Sequence, residues 1–445
     1  MENINESILK NPIYEVRAGV LFFDGCNTVE LAQKYGTPLY LMSETEIVRR
    51  IDELRKSFVE PYVGKTDCRI VYASKAFCTI AMMNICEREG ISVDVVSGGE
   101  LHTAKAAGFP ADRIEFNGNN KTREEIESAL LYGVGRFIVD GLSELKIIES
   151  VIADNPSITY HPKILFRITP GVTADTHDHL KTAKKDSKFG IPLAEEVFFP
   201  QIERAINSEL VDYVGLHFHI GSQLFDVKPY LDALEIALEK VREIKERYGF
   251  VVSELNVGGG FGACYVDEDR KQFGYFLAPV VEKIIEFYDN VLGTDPPEIS
   301  IEPGRSIVAE AGATLYTVGQ TKDIPGGTKY ISVDGGMGDN IRPSLYQAEY
   351  FSAIANKMDS PCDDTVTICG KNCESGDILI RNAQLPLASS GDILCTFSTG
   401  AYCYSMSSNY NGNLIPAVVL CSDGKDKLIV KRQTNDQLVQ NQLPL

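Results

Sequence analysis

Between residues 69 and 306, eight short, mostly apolar runs rich in β-branched residues alternate with longer stretches, and this alternation limits the possible folds more than any other feature. The runs are RIVYAS (69–74), SVDVVS (92–97), RIEFNG (113–118), RFIVDG (136–141), KILFRIT (163–169), YVGLHFHIG (213–221), ELNVGGG (254–260) and EISIEPG (298–304). Each closes on glycine or a polar residue, as strands of a sheet covered on both faces do. Between them, VKPYLDALEIALEKVREIKERYG (227–249) spaces its apolar residues by three and four, the mark of an amphipathic helix. Eight strand-helix units predict an α/β fold of the (β/α)8 barrel type. A doubly wound open sheet is the structural alternative, because a strand count alone does not prove closure.

TPLYLMS (37–43) is a ninth strand candidate ahead of the series. After residue 310 the pattern changes: TLYTVGQ, TKYISVDGG, DTVTICG and GDILCTF read as strands with turn punctuation and few helices. This predicts a C-terminal β-sandwich or β-barrel domain, to which the N-terminal 35 residues add strands. The expected division is 1–36 with the β domain, 37–310 as the barrel and 311–445 as the β domain. A chain of 445 residues has room for one large and one smaller core.

Lysine and arginine number 43 against 62 aspartates and glutamates, a formal charge of −19. That sign argues against nucleic acid or an anionic membrane as partner, but not against a small anionic substrate held by a local arginine cluster. No run approaches the roughly 18 apolar residues of a membrane span. The stretch MENINESILKNPIYEV carries acids and no apolar core, so it is not read as a signal peptide. Eleven cysteines at irregular spacing, without CxxC or paired histidines at zinc-finger spacing, predict free thiols in a reducing cytoplasm. Disulfide and structural-metal readings of Cys373, in GKNCESGDIL, are therefore disfavoured. On composition alone this thiol is a buried filler.

In a barrel of this kind the active site lies at the C-terminal strand ends. Lys75, Asn117, Arg167, His219, Gly258-Gly259-Gly260 and EPGR (Glu302–Arg305) fall there. A lone lysine is most simply a surface residue. At a barrel mouth, however, Lys75 loses water, its pKa falls, and it can form a Schiff base with a carbonyl compound. NVGGGFG lets backbone N–H groups approach a phosphate, but it fails as a dinucleotide fingerprint because Ala263 stands at the last glycine position. Arg305 adds a forked cation. His217 and His219 share a strand face and could begin a metal site. The other strand ends supply no further histidine, and His177 and His179 sit in a polar loop, so the metal reading ranks below the Schiff-base one.

YASKAF, HIGSQ, GGGFG, EPGRS, DGGMGDNIRPSLY, CESGD and GAYCYSMSSNYN, in this order, resemble the motif set of the fold-type III pyridoxal-phosphate-dependent decarboxylases, a resemblance that runs from residue 37 to about residue 416. The resemblance implies an alanine racemase/ornithine decarboxylase-like fold, pyridoxal 5'-phosphate as cofactor, and a homodimer with active sites at the subunit interface. It implies that Lys75 carries the cofactor, Glu302 pairs with the pyridine nitrogen and His219 stacks on the ring. It also implies that Ser222, Gly259, Gly260, the Pro303-Gly304-Arg305 turn and Tyr402 hold the phosphate. Cys373 becomes the proton donor, reaching into the other subunit's site. Arg305, Arg342, Tyr346, Glu374 and Tyr402 become substrate contacts. The RPSLY, HIGSQ and CESGD forms resemble the branch acting on meso-2,6-diaminopimelate rather than ornithine. Two departures stand out: Ala183 and Lys184 replace a Thr-Gly pair, and NYNGNLIPAVV lacks a basic residue before Pro416. Alternatives are a sister decarboxylase for D-ornithine, D-lysine, carboxynorspermidine or a carrier-bound glutamyl group, and a non-catalytic binding homologue. Against the last, Lys75, Glu302, Arg305, Cys373 and Tyr402 are all in place.

Overall fold

The computed structural model describes residues 11–172 and 187–445; the loop histidines His177 and His179 and the departures at Ala183 and Lys184 lie outside the described residues. The chain divides into two compact units. One joins Ile51–Gly262 to Arg270–Gly304; the other joins the chain up to Arg50 to Ala263–Asp269 and Arg305–Leu445.

The first unit is the expected barrel. Its strands are β1 (Cys68–Ala73), β2 (Ser92–Val95), β3 (Ile114–Phe116), β4 (Arg136–Val139), β5 (Lys163–Arg167), β6 (Asp212–His217), β7 (Glu254–Asn256) and β8 (Glu298–Ile301). All neighbours are parallel, and β8 returns to β1 with Ile299 opposite Cys68, so the sheet is closed. This excludes the open-sheet alternative. Strand starts agree with the sequence to within a residue, while most strands stop two to four residues earlier than expected. The lost residues are those at which the backbone turns out of the barrel, with Gly118, Gly221, Gly258 and Gly260 all at positive φ. The helix Lys228–Tyr248 forms as its spacing predicts and ends on Gly249 in the left-handed region.

The barrel floor is ionic rather than aliphatic. Arg69 meets Glu115 and Glu298 at 2.5 Å each, Arg136 meets Glu254 at 2.6 Å and Glu298 at 3.2 Å, and Lys163 reaches Glu254 at 2.5 Å. All six residues, Arg69, Glu115, Arg136, Lys163, Glu254 and Glu298, stand at the first or second position of their strands. Branched aliphatics usually fill such a layer. Here Glu115 and Glu254 are buried, and buried charges must be paired to persist.

The second unit is a β domain. Its sheet runs in the order Ile378–Leu385, Asp364–Cys369, Lys329–Val333, Gly312–Asp323, Leu39–Ser43, Ala417–Ser422, Lys425–Val430. The long strand Gly312–Asp323 also pairs with Ile393–Phe397, which carries Ser352–Ile354. Successive residues face opposite sides: Leu315 and Cys395 join one core with Phe23, Leu41 and Val419, while Tyr316 and Leu394 join another with Ile331 and Ile368. Residues 37–50, grouped with the barrel in the sequence reading, belong here, because Leu39–Ser43 bonds to strands of this unit on both edges. The N-terminal strands Tyr14–Arg17, Val20–Phe23 and Cys26–Asn27 form their own antiparallel sheet instead of extending the large one. All eleven cysteines are free thiols.

Candidate active site

Glu302 follows β8 directly and is 6 % exposed. Its Oε1 accepts from Asn117 Nδ2 and Asn256 Nδ2, each at 3.0 Å, and His217 Nε2 lies 3.0 and 3.1 Å from its two oxygens. Burial would push this carboxyl up, but the charge and hydrogen bond of His217, followed by the charge of Lys75, outweigh it and hold Glu302 well below the usual carboxylate range. It is therefore ionised at neutral pH. Asp94, which accepts from Asn117 at 2.7 Å, goes the other way: burial and the neighbouring Glu302 anion drive it well above its ordinary value. Two neighbouring carboxyls are thus pushed in opposite directions.

Lys75 occupies the single turn Ser74–Ala76 at the end of β1 and is half-buried. Its cation acts on Glu302, Asp94, His219 and Glu100. His219 lies two residues beyond β6. Loss of water, together with the cations Lys75 and Arg167, holds its imidazole well below the ordinary value, so the ring is neutral at pH 7. Its Nδ1 accepts the Gly259 N–H at 3.3 Å.

The turn after β7 has no room for side chains. A Cβ on Gly259 would lie 2.0 Å from the Glu302 carbonyl oxygen, and on Gly260 2.4 Å from the Gly221 carbonyl oxygen. At Gly304 it would meet Ala73 Cβ and O at 3.0 and 3.1 Å. Ser222, at the end of the segment after β6, is half-buried. The Pro303 carbonyl accepts from Ala73 N at 3.0 Å. Lys75, His219, Glu302 and the glycine turns therefore gather at one barrel mouth. Asp94, Glu115, Asn256 and the bond from His217 to Glu302 complete this set and were not read from the sequence, although a polar residue inside an apolar strand run marks each of the first three.

The remaining residues lie in the β unit. Arg305 donates from Nη1 to the Tyr265 hydroxyl at 2.7 Å, and its guanidinium stands 4.8 Å from the Tyr402 ring centre. Tyr402 holds φ +61°, a costly backbone state for a residue with a side chain. Arg342 opens the short helix Arg342–Tyr346, donates to the Tyr350 hydroxyl at 2.6 Å and lies 5.0 Å from the Tyr265 ring centre. One phenol, Tyr265, thus contacts two guanidinium groups. Sequence reading found neither Tyr265 nor Tyr350. Tyr346 is half-buried.

Cys373 and Glu374 are exposed, which contradicts the composition-based reading of Cys373 as buried filler. Their turn is nevertheless rigidly tied. Buried Asp377 accepts from the backbone N–H groups of Met337 and Asn372 at 2.7 and 2.8 Å, and Cys373 N–H donates to Asn411 Oδ1 at 2.8 Å. Among the described residues, no group of three or more His, Cys, Asp or Glu is arranged to hold a metal, and no helix is long and apolar enough to cross a membrane.

Comparison with known proteins gives one answer. Residues 44–309 match the family model described as pyridoxal-dependent decarboxylase, pyridoxal binding domain. The diaminopimelate decarboxylase of Bacillus subtilis (strain 168) is 47% identical over 431 residues, 96% of each chain. The crystal structure of diaminopimelate decarboxylase from M. jannaschii superposes with a TM-score of 0.90 at 34% identity, covering 98% of this chain and 99% of that one. A second structure of that enzyme, in co-complex with L-lysine, gives 0.89 at 34% identity and covers 98% of each chain.

Proposed function

The chain belongs to the pyridoxal-dependent decarboxylase family, among the diaminopimelate decarboxylases, and on that premise we propose that it converts meso-2,6-diaminopimelate to L-lysine and CO2, the last step of lysine biosynthesis. The observation that carries this reading is the barrel-mouth set itself. A lysine amine, a buried ionised carboxylate, a neutral imidazole and glycine turns without room for a Cβ are the groups that an aldehyde, a pyridine nitrogen, an aromatic face and a phosphate require. The residues present fit pyridoxal 5'-phosphate.

When bound, that cofactor supplies a carbonyl that condenses with amines and a ring that takes up the electron pair left as the carboxylate departs. The chain does the rest. Lys75 would offer the amine that holds the cofactor. Glu302, kept ionised by His217 and Lys75, holds a proton on the ring nitrogen. His219 presents a neutral face. Ser222, Gly259, Gly260, Pro303, Gly304, Arg305 and Tyr402 hold the phosphate.

Substrate contacts follow from the two charged centres at the substrate's far end. Its distal carboxylate needs donors, which Arg305, Arg342 and Tyr346 supply; its distal ammonium needs an acceptor, which Glu374 supplies. We assign the protonation of the reacting carbon to the partner subunit's Cys373 in a cytoplasmic homodimer. The exposed position of this thiol on a tightly tied turn supports that assignment. Purified protein loaded with cofactor is expected to release CO2 and form lysine from meso-diaminopimelate. Turnover of D-ornithine or carboxynorspermidine without any of diaminopimelate would replace the assignment with a sister activity.

A further inference from the structure

We infer that Asn256 is a positioning residue that locks Glu302 and the Gly258–Gly260 turn into one register, so that the ring-nitrogen end and the phosphate end of the cofactor site move together. The inference rests on the cofactor roles proposed above. Asn256 ends β7, is wholly buried, and commits its whole amide. Nδ2 donates to Glu302 Oε1 at 3.0 Å and to Glu115 Oε2 at 2.9 Å, while Oδ1 accepts from Gly258 N–H at 2.9 Å. A primary amide has two N–H donors and one carbonyl oxygen, so both ends of the group are engaged. Flipping it by a half-turn would set oxygen against two carboxylates and N–H against N–H.

The other two partners of Glu302 do not make this link. Asn117 joins it to Asp94, and His217 meets both its oxygens. The backbones are already joined, since Glu302 N–H donates to the Gly258 carbonyl at 2.8 Å; Asn256 ties the Glu302 carboxylate to that same turn. The link is anchored from below, since Arg69 holds Glu115 at 2.5 Å. A group needed only to fill volume there would be apolar, because burying an amide costs free energy unless every bond is made. Pyridoxal phosphate has a rigid ring, so the spacing between its nitrogen and its phosphate ester is set covalently. The protein must match that spacing, and misplacement by about 1 Å is expensive.

The test compares the affinities of cofactor-free protein for pyridoxal phosphate and for pyridoxal, which lacks the phosphate, by equilibrium dialysis. Asn256→Ala removes both halves of the link. Asn256→Asp keeps an oxygen for Gly258 N–H but loses the donors to Glu302 and Glu115. The preference for the phosphorylated ligand is expected to fall about tenfold in Asn256→Ala, the effect of one well-made hydrogen bond to a positioned group. In Asn256→Asp, which cuts the link at its Glu302 end alone, the preference is expected to fall as well. If Asn256→Ala does not accumulate folded, Asn256→Leu fills the volume without polar atoms and carries the same expectation. A preference unchanged in Asn256→Ala or Asn256→Leu, or retained in full in Asn256→Asp, overturns the inference. A wild-type protein that binds the two ligands alike would instead overturn the phosphate-cradle reading beneath it.

Discussion

At the scale of single residues, the site is organised by charges that cannot all be satisfied in the same state. Glu302 is ionised because His217 and Lys75 outweigh its burial, whereas burial and the Glu302 anion drive Asp94 upward. Glu302→Gln keeps the shape and removes the charge, so cofactor is expected to bind while turnover falls at least about 100-fold, the usual cost of losing one preorganised electrostatic partner. Absorbance of bound cofactor and CO2 release separate the two effects. Cys373→Ala is expected to retain cofactor and lose about 100-fold or more in kcat, as loss of a general acid does. Full activity would return the proton to Lys75 or water. Asp339, in the β unit, carries a pH dependence of its own. Burial, with Asp334 adding to it against the Gly336 N–H, pushes it up to about 7. Between the ordinary aspartate range near about 4 and that value, the folded chain keeps a proton that the unfolded chain has released, so stability falls as pH rises, by roughly 1 kcal/mol per unit. Asp339→Asn is expected to flatten this slope in thermal midpoints measured from pH 4.5 to 7.

At the scale of elements, the glycine turn and the ionic floor make opposite demands on substitution. Gly259→Ala would place a Cβ 2.0 Å from the Glu302 carbonyl oxygen, which the turn can relieve only by moving away from β8. Cofactor affinity is expected to drop at least about tenfold and stability by about 1–3 kcal/mol, read by dialysis and thermal melting. Much of this architecture was legible in the sequence. The eight strand starts could be read because each opens an apolar run. The ends could not, because SVDVVS and ELNVGGG carry apolar residues past the last strand position, where the backbone has already turned away. Asp94, Glu115 and Asn256 each interrupt such a run, and a buried polar side chain requires a partner. What no local pattern states is which partner: Asn117 finds Glu302 from 185 positions away, a pairing that exists only once the barrel closes. Tyr265 and Tyr350 were invisible for a similar reason, since their role comes from the arginines they contact rather than from their neighbours in sequence.

At the scale of the whole molecule, the proposed division of labour makes activity a property of two chains. Lys75→Ala and Cys373→Ala proteins are each expected to be inactive, and mixing them under subunit exchange is expected to restore part of the turnover. Half of each exchanged dimer then pairs an intact lysine with an intact cysteine. Persistent inactivity in verified mixed dimers would place both groups in one subunit. The placement of Leu39–Ser43 bears on how such a molecule is made. This fully buried strand bonds on one edge to Gly312–Asp323 and on the other to Ala417–Ser422. On a ribosome adding about 5–20 residues per second, it emerges roughly half a minute before its last neighbour exists. Both edges of this apolar ribbon are open until Gly312–Asp323 is made, and one stays open until Ala417–Ser422 follows, which is the state that invites pairing with the wrong chain. The last hundred residues of the sequence therefore act on the first fifty as their delayed shelter, and truncation near the C-terminus would be felt first at the opposite end of the chain.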